Sequence, residues 1–206
     1  MRTAIQERQF YNAWDTYEKD LHEEGWQIPH LLVQSIRPFL RGGETILDVG
    51  CGTGFIGAEL RKIGWHGILF GVDIAELRLA EAAKKSIYKS CLRMNANHLQ
   101  FPGRFFNIVL SGAVVGLTGP KSVKEMYRVV KAGGLVACAA GEIKDMFGGS
   151  ERFKSSIRCM RRLSNAQQIL RKDLGTGYRG GRDDEHYILF IFRRLAASSC
   201  LSVRKK

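Results

Sequence analysis

One short segment, LDVGCGTGFIG at residues 47–57, constrains the fold of this chain more than any other. An apolar run delivers Asp48, and Gly50, Gly52 and Gly54 then follow at every second position before an amphipathic stretch begins. Because glycines lack a Cβ atom, they let a ligand approach the backbone closely and adopt dihedral angles that other residues resist. A helix that starts directly after them leaves N–H groups free for a polar or anionic ligand. The segment therefore predicts a strand, a tight turn and a helix around a ligand site.

Short β-rich runs and amphipathic stretches alternate through most of the chain. Strands are predicted at 44–49, 67–72, 90–94, 105–112 and 135–140. Helices are predicted at 55–64, 75–88 and about 121–131. This alternation predicts right-handed βαβ crossovers and a parallel sheet covered on both faces. We therefore expect a doubly wound α/β fold with a mostly parallel, Rossmann-like sheet.

The pattern is weaker beyond residue 141. Residues 151–170 are typical of a helix at first and of extended chain near their end, and HYILFIFRRL at 186–195 is predicted as a strand. Because this late strand follows a glycine-rich loop, we expect it to pair antiparallel at the C-terminal end of the sheet. The chain has four prolines and neither an internal repeat nor a low-complexity linker, which predicts a single domain over residues 1–206.

Composition and charge disfavour several classes of protein. No apolar run approaches the roughly 20 residues of a membrane helix, and the N-terminal segment has no apolar stretch typical of a signal peptide, so a cytoplasmic location is expected. The five cysteines form no CxxC pair and the histidines lack metal-ligand spacing, so no metal site is predicted. Residues 1–120 carry 13 Lys or Arg against 12 Asp or Glu, whereas residues 121–206 carry 19 against 8. This basic part is either a contact surface for a polyanion or the solvated surface of a basic protein.

A second acidic residue, Asp73, ends the second predicted strand, 25 residues after Asp48. In a Rossmann arrangement, a carboxylate in this place accepts hydrogen bonds from both ribose hydroxyls of a bound nucleoside. An aspartate here also suits the N-cap of the helix that follows. The turn at residues 50–54, which we call the glycine turn, precedes Asp73 in the sequence and favours the interpretation that Asp73 binds a nucleoside.

These segments, from about residue 10 to 141, resemble in order and spacing the class I S-adenosylmethionine-dependent methyltransferases. LDVGCGTG resembles the first motif of that family, GVDIA the second, NANHLQFPGRFFNIVLSG the third and fourth, and YRVVKAGGLVACAA the turn and fifth strand. YNAWDTYEKDL, ahead of the first strand, resembles a segment of the Williams–Beuren-region methyltransferase-like subgroup. The resemblance implies S-adenosylmethionine as cofactor, S-adenosylhomocysteine as its product, and methyl transfer as the activity.

The resemblance also implies roles for individual residues. Asp48, with the backbone of Gly50 and Gly52, would hold the methionine amino end of the cofactor. Asp73 would bind the ribose, and Ile74 would pack on the adenine.

Five further positions complete the expected cofactor site. Asn95 stands where the family usually has an Asp that accepts from the adenine amino group; an Asn accepts through its carbonyl oxygen but lacks the charge. Ala96 would supply a backbone N–H, and Ser111 would end the fourth strand facing the crevice. Cys51 and Gly54 belong to the glycine turn itself.

Three aromatic residues near the N-terminus, Tyr11, Trp14 and Tyr17, are spaced i, i+3 and i+6, which places them on one side of a predicted helix. Aromatic residues at this spacing commonly pack on a core, whereas the resemblance implies a lid whose tyrosine hydroxyls reach the cofactor. Tyr11 and Tyr17 are therefore candidate cofactor contacts, and Trp14 is assigned to packing. The single domain is expected to have four parts: a helical lid (1–43), a cofactor-binding core (44–141), a substrate-side region (142–195) and a basic tail (196–206).

Methyl transfer from a sulfonium depends mainly on alignment of the nucleophile in a dry crevice, so no catalytic residue is assigned. A single domain without an appended binding module favours a small-molecule substrate. The alternatives are an RNA or protein methyltransferase that uses the basic residues 121–206, and a catalytically silent cofactor-binding module. A nicotinamide-dependent dehydrogenase fits a GxGxG turn preceded by Asp48 poorly. The sequence indicates neither a membrane partner nor an oligomeric state.

Overall fold

A seven-stranded sheet forms the centre of the chain in the computed structural model, which describes residues 3–143, 149–181 and 185–196. Its strands are β1 (Thr45–Val49), β2 (Ile68–Asp73), β3 (Ser90–Arg93), β4 (Phe106–Ala113), β5 (Val130–Ile143), β6 (Ala166–Gly175) and β7 (Glu185–Arg194). Their order is β3-β2-β1-β4-β5-β7-β6. Neighbouring strands from β3 to β5 are parallel, and β7 runs antiparallel to both β5 and β6. The predicted α/β fold with an antiparallel C-terminal strand is therefore confirmed.

Helices cover both faces of this sheet. They are α1 (Ala4–Ala13), α2 (Tyr17–Glu23), α3 (Ile28–Ile36), α4 (Phe55–Lys62), α5 (Glu76–Lys84), α6 (Val114–Thr118), α7 (Pro120–Val129) and α8 (Gly149–Arg161), with a 3₁₀ turn at Arg37–Phe39. One face packs on apolar residues of α3 and α4 such as Leu32 and Leu60, and the other on residues of α7 and α8 such as Met126 and Met160. Within the described ranges, no helix is long and apolar enough to cross a lipid bilayer.

The strand order reverses at β1, which has β2 on one side and β4 on the other. The segments that follow the strands on the two sides of this point run to opposite faces of the sheet, so a crevice opens between them at the carboxyl ends of the strands. The glycine turn after β1 and the end of β2 both reach this edge of the sheet.

The N-terminal helix differs from the prediction, because the chain leaves the helical conformation between Tyr11 and Tyr17. Trp14 has φ −87° and ψ 81° and ends α1. The Asp20 carboxylate accepts a hydrogen bond from the Trp14 indole N–H at 2.6 Å and another from the Thr16 hydroxyl at 2.6 Å. Such side-chain bonds offer the local chain an alternative to the helical ladder.

Two predicted boundaries also change. The AGG turn ahead of the fifth strand is a bulge inside β5, where Val130 already pairs with Phe106 and Gly133 has a φ of 78°. Of the predicted basic tail at 196–206, residues 197–206 lie outside the described part of the chain.

Candidate functional site

The glycine turn between β1 and α4 has the backbone that the sequence predicts. All three of its glycines have positive φ: 73° at Gly50, 53° at Gly52 and 94° at Gly54. At Gly50, a Cβ atom would lie 1.9 Å from Cγ2 of Val114, so only glycine fits there. The N–H groups of Gly50 and Cys51 donate to the carbonyl of Val72 at 2.7 and 3.0 Å, which ties the turn to the end of β2.

Asp73 lies beside this turn and faces a cavity. One oxygen of its carboxylate accepts from the backbone N–H of Gly52 at 2.9 Å, and the other accepts from that of Ala75 at 2.9 Å. The bond from Gly52 holds the glycine turn, and the bond from Ala75 stabilises the chain where it enters α5. Because α5 begins at Glu76 with Ala75 as its N-cap, Asp73 is not the N-cap residue itself, although its side chain holds the chain just ahead of the helix. Burial raises the pKa of Asp73, and the backbone hydrogen bonds oppose that rise.

Asp48 is fully buried beneath the glycine turn rather than in the wall of the cavity. Its Oδ2 accepts a hydrogen bond from the Tyr88 hydroxyl at 2.8 Å, and its Oδ1 has no hydrogen-bond partner among the described residues. Burial raises the pKa of Asp48 to about 7; the Tyr88 hydrogen bond lowers it, and the charge of Asp73 raises it.

Tyr88 is a site residue that sequence reasoning missed. Its ring lies against three glycines, since a Cβ atom at Gly54, Gly57 or Gly71 would come within 3.0, 2.8 or 2.9 Å of this side chain. Its hydroxyl also accepts from the backbone N–H of Gly57 at 3.3 Å. Glycines inside a helix and inside a strand are the sequence signal for such a close approach, although they do not identify the side chain that approaches.

A cavity of about 220 Å³ opens above the turn. Nine of the twelve predicted cofactor contacts line it: Tyr11, Tyr17, Gly50, Cys51, Gly52, Asp73, Ile74, Asn95 and Ala96. Asp48 lies beneath the turn and Gly54 is its last glycine, and neither residue lines the cavity. The structure thus brings together the residues from the ends of β1, β2 and β3 with the N-terminal aromatics.

Ser111 lies inside the sheet instead of facing the crevice. Because β4 continues to Ala113, the side chain of Ser111 is fully buried beside Cys138 of β5. Its hydroxyl has no hydrogen-bond partner among the described residues. Gly112 and Ala113 line the cavity at the end of this strand.

The Asn95 side chain is fixed by its own turn. Its Oδ1 accepts from the backbone N–H of Asn97 at 2.9 Å, and the residue lines the cavity together with Ala96. Ile74 and Met94 add apolar surface at this end. The arrangement combines an amide with apolar side chains, which suits a flat polar ring.

Aromatic rings cover the glycine turn from the N-terminal side. A Cβ atom at Gly52 would meet only Tyr17, at 3.8 Å, so the space above that glycine is open up to this ring. Tyr17 makes edge-to-face contacts with Trp14 and Tyr11, with centroids 5.0 and 6.0 Å apart. Trp14, which the sequence assigned to packing, also lines the cavity. Burial raises the pKa of both tyrosines, so their hydroxyls are neutral donors at neutral pH.

Comparison with known proteins agrees with this geometry. Residues 47–138 match the family described as a methyltransferase domain. An uncharacterized methyltransferase of Schizosaccharomyces pombe is 30% identical over 147 residues, which cover 65% of this chain and 52% of that protein. Methyltransferase-like protein 27 of Homo sapiens is 33% identical over 138 residues, which cover 64% of this chain and 56% of that protein. The chain spans about half the length of the curated relatives it matches.

Among solved structures, the [4+2]-cyclase SpnF shares the fold with a TM-score of 0.73 at 15% identity, over 95% of this chain and 98% of that one. The fold, the glycine turn and the acid at the end of the second strand agree with the resemblance of the sequence to the class I S-adenosylmethionine-dependent methyltransferases. Residues 47–138, which supply the glycine turn and Asp73, match a methyltransferase domain, and the relatives of this region in Schizosaccharomyces pombe and Homo sapiens are named as methyltransferases or methyltransferase-like.

Proposed function

We propose that the protein transfers the methyl group of S-adenosylmethionine to a small molecule. The observation that carries this proposal is the continuity of the cavity. The glycine turn, Asp73 and Asn95 line one part of it, and aromatic side chains from both ends of the chain line the rest. The proposed cofactor site and the aromatic surface for a compact acceptor are therefore parts of one cavity.

The chemistry of the lining fits S-adenosylmethionine. The Asp73 carboxylate would accept from the ribose hydroxyls, Ile74 would pack on the adenine, and the Asn95 side chain with the Ala96 N–H would meet the adenine edge. Tyr11 and Tyr17 would close the site from above. Each of these groups faces the cavity, so the assignment needs no rearrangement of the sheet.

The glycine turn would hold the methionine end. Open space above Gly52, beside Gly50 and Cys51, lets that end lie directly on the backbone. Asp48 would act through the turn, because its buried carboxyl group lies beneath it and its Oδ1 has no hydrogen-bond partner among the described residues. Gly54, supported by Tyr88, would keep the turn in shape.

When bound, S-adenosylmethionine supplies an electrophilic methyl group on a sulfonium. The residues of this chain would orient the acceptor and exclude water from the reacting atoms. We also propose the functional division of the domain into a lid (1–43), a cofactor-binding core (44–141) and a substrate-side region (142–195). The cavity wall draws residues from all three parts.

The basic side chains of α7 and α8 lie outside the cavity, which favours a small acceptor over a polyanion inside it. Lys124, Arg158 and Arg162 lie in a shallow depression between α7 and α8, and none of them lines the cavity. An RNA or protein substrate remains the second candidate, which this surface would hold from outside.

The experiment incubates the protein with methyl-labelled S-adenosylmethionine and a cell extract separated into small-molecule, RNA and protein fractions. We expect label in the small-molecule fraction, and its loss in Asp73→Ala. Label in RNA or protein would contradict the small-molecule assignment and favour the basic surface. Cofactor binding without transfer to any fraction would contradict the enzyme assignment and favour a silent binding module.

The affinity for S-adenosylhomocysteine is expected to rise several-fold between pH 6 and pH 8. Burial raises the pKa of Asp48 to about 7, so its carboxylate is neutral below that pH and charged above it. A cofactor ammonium above the turn favours the charged form, so binding strengthens as Asp48 ionises. Calorimetry across this range measures the effect. Asp48→Asn should flatten the profile, and an unchanged slope in that variant would assign the pH dependence to another group.

A further inference from the structure

We propose that the substrate is a small amine and that the Glu185 carboxylate takes the proton from its nitrogen before methyl transfer. This inference rests on the proposed function and assigns the part of the cavity that the cofactor would leave open. It makes Glu185 a catalytic residue and Tyr187 a positioning residue.

The sheet brings Glu185 to the crevice. It is the first residue of β7 and lies opposite Ile143, the last residue of β5. Because β5 runs parallel to β1, the end of β5 lies at the same edge of the sheet as the glycine turn. Glu185 lines the same cavity as Asp73.

Tyr187 holds the Glu185 carboxylate in place. Residues two apart on a strand point to the same face, and the Tyr187 hydroxyl donates to Oε2 of Glu185 at 2.6 Å. The Tyr187 ring is 2% exposed and lies across Gly141, where a Cβ atom would come within 2.6 Å of it. A Cβ atom at Gly177 would come within 2.9 Å of the same ring. The carboxylate is thus positioned by a side chain that cannot move freely.

The wall around Glu185 is aromatic. Tyr11 and Trp14 line the same cavity from the N-terminal segment, and Trp26 and Tyr178, which form an isolated antiparallel bridge, line it as well. Burial is the main cause of the raised pKa of the Tyr11 and Tyr187 hydroxyls, and the Glu185 carboxylate adds to it. Aromatic faces together with a carboxylate are the combination that binds an ammonium group.

The charges of the wall disfavour an anionic acceptor. Glu7 also lines the cavity and is paired with Arg152 at 2.6 Å. The only cationic side chain among the described lining residues is Arg78, which pairs with Glu81 at 3.0 Å and lies over the Tyr17 ring at 5.8 Å. Among the described lining residues, carboxylates therefore outnumber cationic side chains, which favours an amine over an anionic acceptor.

The proposed step balances in atoms and charge. An ammonium has no lone pair, so one N–H proton first passes to Glu185 and leaves the nitrogen neutral. The nitrogen lone pair then forms the N–C bond while the S–C bond breaks, and that bonding pair stays on sulfur. The positive charge moves from sulfur to nitrogen, and the proton on Glu185 is afterwards lost to solvent.

The test measures binding of three probes that share a phenethyl group to the protein saturated with S-adenosylhomocysteine. The probes are phenethylamine, phenethyl alcohol and 3-phenylpropanoate, titrated by calorimetry up to 10 mM. We expect the amine to bind at least tenfold more tightly than the alcohol, and the carboxylate to bind least. Glu185→Gln should remove the preference for the amine over the alcohol, and Tyr187→Phe should reduce the same ratio without removing it.

The matched control is Asp173→Asn, because Asp173 is an exposed carboxylate on β6 that pairs with His186 at 2.8 Å and does not line the cavity. It should leave the amine-to-alcohol ratio unchanged. Failure of the wild-type protein to bind S-adenosylhomocysteine would overturn the proposed function and this inference with it. Binding of S-adenosylhomocysteine with no amine binding, with equal binding of amine and carboxylate, or with an unchanged ratio in Glu185→Gln would overturn the inference alone.

Discussion

Replacement of Gly50 by alanine is expected to abolish binding of S-adenosylhomocysteine and to lower the free energy of unfolding by about 3 kcal/mol or more. The φ of 73° at Gly50 is a conformation that costs a non-glycine residue about 1–3 kcal/mol. The new Cβ atom would also lie 1.9 Å from Cγ2 of Val114, and overpacking of this kind typically costs another 1–3 kcal/mol. Either the turn or α6 must move, and both line the cavity. Denaturant unfolding and calorimetry measure the two effects.

Gly43→Ala is the matched control for this variant. A Cβ atom at Gly43 would have no neighbouring atom within 4 Å, and the φ of this residue lies outside the left-handed range. The variant should keep the stability and the affinity of the parent protein. A stable Gly50→Ala variant with full affinity would show that the turn does not need the geometry described above.

Asp73→Ala is expected to weaken binding of S-adenosylhomocysteine by roughly 1.5–3 kcal/mol, which corresponds to about 10–150-fold in affinity. Hydrogen bonds from ribose hydroxyls to a carboxylate are of this strength, and the carboxylate faces the cavity. The same change removes the acceptor for the N–H groups of Gly52 and Ala75, so a loss of about 1 kcal/mol in stability should accompany it.

Asp73→Asn separates the two effects. Its amide oxygen can still accept from the Ala75 N–H, but its NH2 group cannot accept from the Gly52 N–H, so only part of the lost stability should be recovered. Its affinity should fall between those of the parent and of Asp73→Ala, because the charge is lost. Calorimetry at fixed pH measures both variants, and unchanged affinity in Asp73→Ala would remove Asp73 from the site.

Local patterns predicted most of the fold. The buried strands β1, β2 and β4 are continuous apolar runs between turn residues, and the glycine spacing after β1 specifies the turn without knowledge of its neighbours. The place of Asp73 in the cavity wall could be predicted because it depends on the position of this residue at the end of β2. These features are set by residues close together in the sequence.

Other parts of the site depend on contacts between distant residues and could not be predicted. Tyr88 reaches Asp48 across 40 positions, and no periodicity identifies that pair. The break at Trp14 follows from the carboxylate of Asp20, which competes with the helix. In the sequence, Glu185 cannot be told from the solvated start of a strand, and only the pairing of β7 with β5 brings it to the crevice.

The two sides of the cavity have separate origins along the chain. The region that matches the methyltransferase domain family, residues 47–138, supplies the glycine turn, Asp73 and Asn95. The opposite wall comes from before and after that region, with Trp26 on one side and Glu185 on the other. Changes in the two terminal segments can therefore alter which acceptor fits the cavity while the central segment keeps the glycine turn and Asp73. Divergence among homologues should accordingly concentrate at the two ends of the chain.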